Sequence, residues 1–163
     1  MATSAEIFRK VRALGMQILP PPVPNGGYDL VSVHRGLAYV SGQLPRTGTG
    51  PEELMAGRIL GEDDIPRAQE AARLCLLRSV FALHYHLGDL ATVKGLVSIR
   101  GFLNAAPDFG AHAKVMDAAS ALARELFGPA GGHVRSALGA GSLPSQALVE
   151  VELVAELGDT HAS

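Results

Sequence analysis

The chain has 163 residues, which is enough for one domain with a sizeable core, and 47% of them are hydrophobic. This composition excludes a disordered chain, and a formal net charge of −2 gives sequence-independent binding of nucleic acid little electrostatic drive. Trp is absent and aromatic residues make up 5%, so no stacking platform for single-stranded nucleic acid is expected.

Cysteine content and hydropathy indicate a soluble protein of a reducing compartment. Cys75 is the only cysteine, which excludes an intrachain disulfide and a Cys-based zinc site. Charged residues interrupt the apolar ones in the first 16 positions, unlike in a signal peptide, and no apolar run reaches 18 residues. We therefore expect a cytoplasmic protein that binds no membrane. Cys75 lies on an apolar helix stripe, where a buried, unreactive thiol is expected.

The first predicted element is a helix over about residues 5–16, capped by Thr3 or Ser4. A proline-rich linker follows and ends at Pro24. The helix can pack against its own domain or against a neighbouring copy, and the pattern favours neither. The sequence divides into a helix and linker at 1–24, a domain at 25–158, and a tail at 159–163.

The domain is predicted to have α+β architecture with the order ββαβαββ. Its strands are expected at 28–33, 37–41, 93–103, 133–140 and 148–157, and its helices at 64–88 and 107–127. The last strand alternates, with Val and Leu on one face and Glu150 and Glu152 on the other. Two helices should cover the apolar face. The Glu-bearing face is left for water, a site or another subunit.

Polar side chains on the last two strands form the candidate site. His133 and Arg135 are two residues apart, so their side chains leave one face of a strand. If this strand pairs with the last one through residues 141–146, Arg135 lies near Glu150. An arginine fork binds a carboxylate through two hydrogen bonds, and a nearby Glu can hold water or move a proton. From spacing alone, a purely structural Arg–Glu pair on an exposed sheet face is the better explanation, because paired charges are often structural.

Three sequence blocks resemble signatures of the RidA superfamily. The first has Arg135, Leu143-Pro144 eight residues later, and Glu150 fifteen residues after the arginine. The second joins Tyr28 to Ser41-Gly42-Gln43 at the family's separation, and the third is Asp108-Phe109 before a helix. In this order the blocks are far more specific than any one alone. The resemblance covers about residues 26–157.

The resemblance implies a chorismate mutase-like trimer with its sites between subunits. The activity it implies is hydrolysis of reactive enamines and imines, such as 2-aminoacrylate, to 2-keto acids and ammonia, with no metal or other cofactor. By position, Arg135 resembles the carboxylate-binding arginine and Glu150 the water-positioning glutamate. Tyr28, Ser41 and Gly42 resemble pocket residues. His133 is a further candidate, because it shares the face of Arg135.

The sequence also departs from the deaminase pattern. Ala137 stands where other members carry a Cys, and the Asn expected near the third helix is missing, with Ala113 and Asp117 as the nearest positions. Two alternatives therefore accompany the deaminase hypothesis. One is a non-catalytic protein that binds or senses small carboxylates. The other is an endoribonuclease, which the net charge and aromatic content disfavour. His84 and His86 face different ways on a helix and predict no metal site.

Overall fold

The structure, a computed structural model, describes residues 1–48 and 50–158, so the predicted tail lies outside the described residues. The described residues contain three α-helices and five strands in the predicted order. These are α1 (Ser4–Ala13), β1 (Val31–His34), β2 (Leu37–Gln43), α2 (Ile65–Leu87), β3 (Val93–Asn104), α3 (His112–Phe127), β4 (Val134–Ala140) and β5 (Val149–Leu157). No helix in these ranges is long and apolar enough to cross a bilayer.

The five strands form one sheet in the order β1-β2-β5-β3-β4. β3 and β4 are parallel, as expected of strands joined by a helical crossover, and the other neighbours are antiparallel. The predicted pairing of β4 with β5 is therefore wrong. β5 lies at the centre because every apolar residue of its alternating pattern is buried, whereas β4 exposes Val134 and Leu138 and forms an edge.

Helices α2 and α3 pack against one face of the sheet, as predicted. The alternating apolar residues of β5, from Val149 to Leu157, are at most 3% exposed in the core that these helices cover. On the other face, Tyr39, Val134 and Leu138 remain 45%, 70% and 55% exposed. The sheet thus has a covered face and an open face, and the open face carries both Glu and large apolar side chains.

Helix α1 packs against its own chain, which answers the question that the sequence left open. Its Ile7 and Val11 are fully buried, and the Phe8 ring lies 5.3 Å from that of Phe81 on α2. The ammonium group of Lys10 donates to two carbonyls in the last turn of α3, at 3.0 and 2.8 Å. These contacts make α1 part of the single core.

The start of α3 and the environment of Cys75 are two further features of the fold near the site. α3 begins at His112 instead of near residue 107, because the Phe109 amide donates to the Ala106 carbonyl in a turn that precedes the helix. The thiol of Cys75 is buried between α2 and β5 and donates to the Val149 carbonyl at 3.5 Å. The predicted burial of Cys75 is confirmed, and burial raises the pKa of the thiol well above its ordinary value, which disfavours the reactive thiolate.

Candidate functional site

A pocket of about 310 Å³ opens where the linker, β2, α2 and the turn before β5 meet. Its lining includes three of the residues singled out in the sequence, Tyr28, Gly42 and Glu150. Arg46 and Arg78 also line it, and neither had been predicted. The volume lies at the lower end of the range for small-molecule sites, so the pocket can hold a ligand of a few heavy atoms.

The carboxylate of Glu150 lies directly over Gly42. A Cβ atom at Gly42 would overlap this carboxylate, so only glycine permits the approach. Between Val40 and Gln43 the pairing with β5 shifts register, and this bulge places Gly42 beneath the glutamate. Burial raises the pKa of Glu150, and the charge of Glu152 raises it further. A carboxyl group whose pKa is raised is suited to hold a water molecule and to exchange a proton with it.

Tyr28 and Ser41 differ in how far they contribute. Tyr28 is half-exposed at the pocket, and its hydroxyl accepts a long hydrogen bond from the Asn25 amide at 3.4 Å. The Ser41 hydroxyl instead donates to the Asp29 carbonyl at 2.7 Å. Ser41 lines a neighbouring depression together with Glu152. In the single chain, Ser41 therefore supports the bulge more than it faces the pocket.

Arg135 and Glu150 lie on opposite faces of the sheet, which corrects the predicted proximity. Arg135 aligns with Ile99 on the helix-covered face, whereas Glu150 aligns with Phe102 on the open face. The physical reason is register: Ile99 and Phe102 are three positions apart on β3, so the side chains aligned with them leave opposite faces, and β3 also separates β4 from β5. The Arg135 side chain therefore reaches α3 rather than the pocket of its own chain.

At α3, Arg135 and His133 meet at one serine. Nη1 of Arg135 donates to Asp117 and to the Ser120 hydroxyl, both at 2.9 Å. His133 Nδ1 donates to the Gly131 carbonyl at 2.8 Å, so its Nε2 accepts the Ser120 hydroxyl at 3.0 Å. The prediction that His133 and Arg135 share a face is confirmed. We call these four side chains, His133, Arg135, Asp117 and Ser120, the edge cluster.

Arg78 is a pocket residue that the sequence marks as unusual without indicating a pocket. It interrupts an otherwise apolar stretch at 74–83 in which only Ser79 is also polar. Its residue surface is 9% exposed, and Nη1 donates to the Arg46 carbonyl at 3.2 Å. Arg46 lies in a segment that the sequence predicts to be a surface loop.

Among the described residues, no group of three or more His, Cys, Asp or Glu could hold a metal ion.

A helix-covered five-stranded sheet with a small polar pocket at the bulge of β2 defines the class of protein. The chain belongs to the family described as "YjgF/chorismate mutase-like, putative endoribonuclease", whose profile matches residues 9–157. The predicted RidA relationship is thereby confirmed, and the match includes part of α1.

Similar proteins extend over almost the whole chain. Protein TCP17 of Trypanosoma cruzi is 32% identical over 160 residues, which is 98% of this chain and 99% of that protein. The structure of Atu1372 from Agrobacterium tumefaciens, of unknown function, is 31% identical, with a TM-score of 0.84 over 95% of this chain and 96% of that one. A Shewanella oneidensis protein with an endoribonuclease name is 29% identical, with a TM-score of 0.83 over 93% and 99%.

Proposed function

We propose that the pocket binds a small carboxylate-bearing molecule and hydrolyses 2-imino or enamino acids to 2-keto acids and ammonia. The observation that carries this proposal is the half-buried Glu150 carboxyl, whose raised pKa and position over Gly42 suit a group that orients water. An enamino acid first takes up a proton at carbon and becomes the 2-imino acid. Water then adds to the carbon of the C=N bond, and Glu150 accepts a proton from this water and passes it to the nitrogen. Transfer of the remaining hydroxyl proton to the nitrogen forms the C=O bond as ammonia leaves.

In this proposal Arg135 supplies the carboxylate contact to the pocket of a neighbouring copy. Arg135 lies on an edge strand, and its side chain is 22% exposed. The exposed Tyr39, Val134 and Leu138 make the open face suitable for burial against other copies. We propose that three chains associate through this face, as the resemblance implies. Sedimentation in dilute buffer is expected to give three times the mass of one chain, and a monomer at micromolar concentration contradicts it.

The test compares conservative changes of the two residues. Arg135→Lys keeps the charge but removes the planar fork, so binding of 2-oxobutanoate is expected to weaken roughly 10- to 100-fold. Glu150→Gln is expected to spare this binding and to abolish ammonia release from freshly generated 2-aminoacrylate. Calorimetric titration and a coupled assay measure the two effects.

Glu156→Gln is the matched control, because Glu156 lies on the same strand and face but is exposed and distant from the pocket. It is expected to leave binding and turnover unchanged. Binding without turnover in the unchanged protein would identify a carboxylate sensor instead of an enzyme. RNA cleavage that co-purifies with the protein and is lost in Arg135→Ala would support the endoribonuclease alternative.

A further inference from the structure

Arg78 is a buried cation whose hydrogen bonds are incomplete. Its Nε is enclosed and has no partner among the described residues. Burying a charge without an opposite charge costs free energy, so proteins rarely leave one in this state without a use. Its single hydrogen bond, from Nη1 to the Arg46 carbonyl, does not neutralise the charge. The guanidinium is therefore suited to an anion that comes from outside the chain.

The geometry of the guanidinium indicates how such an anion would bind. Since Nη1 is taken by the Arg46 carbonyl and Nε is enclosed, Nη2 is the donor left for a ligand. The N–H groups of Nη2 can donate charge-assisted hydrogen bonds to a carboxylate. Arg78 lines the same pocket as Glu150, so a ligand that reaches Nη2 also lies within reach of the proposed catalytic carboxyl.

Arg46 adds a second positive charge to the same wall of the pocket. Its Nη1 donates to the Gly50 carbonyl at 3.3 Å, and in the described ranges neither arginine is bonded to a carboxylate. Burial lowers the pKa of Arg78, and the charge of Arg46 lowers it further, although the Cys75 thiol opposes this effect. Two cations that line one pocket and repel each other are both stabilised when an anion binds beside them.

Glu150 does not serve as the counterion of this pair. An ion pair with an arginine lowers the pKa of a carboxyl group, whereas the pKa of Glu150 is raised by burial and by Glu152. The pocket therefore holds a proposed catalytic carboxyl and, separately, two cations without a matching negative charge. A ligand with a single carboxylate, bound by Arg135 of a neighbouring copy, would leave Arg78 and Arg46 uncompensated.

We infer that Arg78 and Arg46 form a second anion subsite and that the ligand is a dicarboxylate. This inference rests on the proposed function: Arg135 of a neighbouring copy binds the carboxylate next to the reacting carbon, and Arg78 binds the distal one. The substrate class is then the imino or enamino derivative of an acidic amino acid. A dicarboxylic 2-keto acid is the corresponding product.

Calorimetric titration of the full chain with two 2-keto acids tests the subsite. 2-Oxoglutarate and 2-oxopentanoate have equally long carbon chains, and only the first carries a distal carboxylate. 2-Oxoglutarate is expected to bind roughly 10- to 100-fold more tightly, because it gains a charge-assisted hydrogen bond to Arg78. Arg78→Met is expected to remove most of this preference, because it weakens 2-oxoglutarate binding far more than 2-oxopentanoate binding.

Arg73→Met is the matched control, because Arg73 lies on the same helix but lines a different pocket. It is expected to preserve the preference for 2-oxoglutarate. Equal binding of the two acids by the unchanged protein overturns the second subsite and leaves the proposed function standing. An equal loss of both acids in Arg78→Met also overturns it, because Arg78 would then be the only carboxylate clamp. If neither acid binds, both proposals fail.

Discussion

Arg78 in the pocket and Arg135 in the edge cluster differ in how far their hydrogen bonds are satisfied. Arg135 donates to Asp117 and Ser120, and the network continues through His133 to a backbone carbonyl. Arg78 has one carbonyl partner and an enclosed Nε without any. The edge cluster stabilises the fold without a ligand, whereas the pocket is complete only when an anion binds.

This difference separates two signals for a ligand site, a sequence motif and an unsatisfied hydrogen-bonding group. Arg135 carries the motif but gives part of its fork to its own chain. Arg78 lies outside every recognised motif and retains free donors. A ligand must displace or bypass Asp117 to use Arg135, but it meets no competing carboxylate at Arg78 in the described part of the chain.

The largest expected effect on stability comes from a substitution at Gly131, which disrupts the edge cluster. A Cβ at this position would overlap the backbone carbonyl of Ala123 in α3, so the Gly131 segment must move and carry the acceptor of His133 with it. Gly131→Ala is expected to destabilise the fold by about 3 kcal/mol, as overpacking against rigid backbone does. Urea unfolding measures the change.

The neighbouring glycine provides the control for this variant. A Cβ at Gly132 has no closer neighbour than the Pro129 carbonyl oxygen at 3.4 Å. Gly132→Ala is therefore expected to change the free energy of unfolding by less than about 1 kcal/mol. Equal effects of the two substitutions would show that the Gly131 contact does not hold the cluster in place.

The comparison is sharpest when both arginines are changed to methionine in the ligand-free protein. Arg135→Met removes bonds to Asp117 and Ser120 and is expected to lower the free energy of unfolding by about 1 kcal/mol. Arg78→Met replaces an uncompensated buried charge and is expected to raise it by about 1 kcal/mol. Changes of the same sign in urea titrations would mean that the two arginines are held alike.

The smallest expected effect concerns Glu150 and pH. Because its pKa is raised in the folded chain, ionisation favours the unfolded state, and stability falls as the pH rises above about 4.5, the ordinary value. Glu150→Gln removes this penalty. It is expected to raise stability at neutral pH by less than about 1 kcal/mol, since the side chain is only half-buried, and to have no such advantage below pH 4.

Thermal unfolding at several pH values measures this advantage, with Glu156→Gln as the control on the same strand. The control is expected to change the midpoint little at any pH. An advantage of Glu150→Gln that grows toward acid pH would have the wrong sign and would contradict a raised pKa.

Periodicity predicts much of this fold because each element carries its own pattern. The alternation of β5 and the helical stripes of α2 and α3 follow from local spacing, and the structure confirms them. Pairing between β4 and β5 could not be judged in the same way, because a short connection suits either a hairpin or a strand that enters the sheet elsewhere. The outcome depends on which strand occupies the centre of the sheet, and this place is taken by β5.

The residues of the site likewise include some that local spacing predicts and one that only tertiary packing reveals. Tyr28, Gly42 and Glu150 come together because their motif spacing reflects a bulge and a neighbouring strand. Arg78 was missed because α2 is buried on nearly every side, and a hydrophobic stripe does not reveal which polar side chain faces a cavity. Tertiary packing, rather than local pattern, determines that exposure.

The enclosed thiol of Cys75 also provides a way to measure how often α2 separates from β5. A thiol-specific alkylating reagent reacts with the thiolate, which both burial and the raised pKa suppress in the folded state. Labelling therefore proceeds only through molecules in which α2 has separated from β5. When the reagent is slow compared with reclosing, the labelling rate measures the equilibrium fraction of open molecules. A ligand that binds beside Glu150 and stabilises the folded state is then expected to slow the alkylation of Cys75.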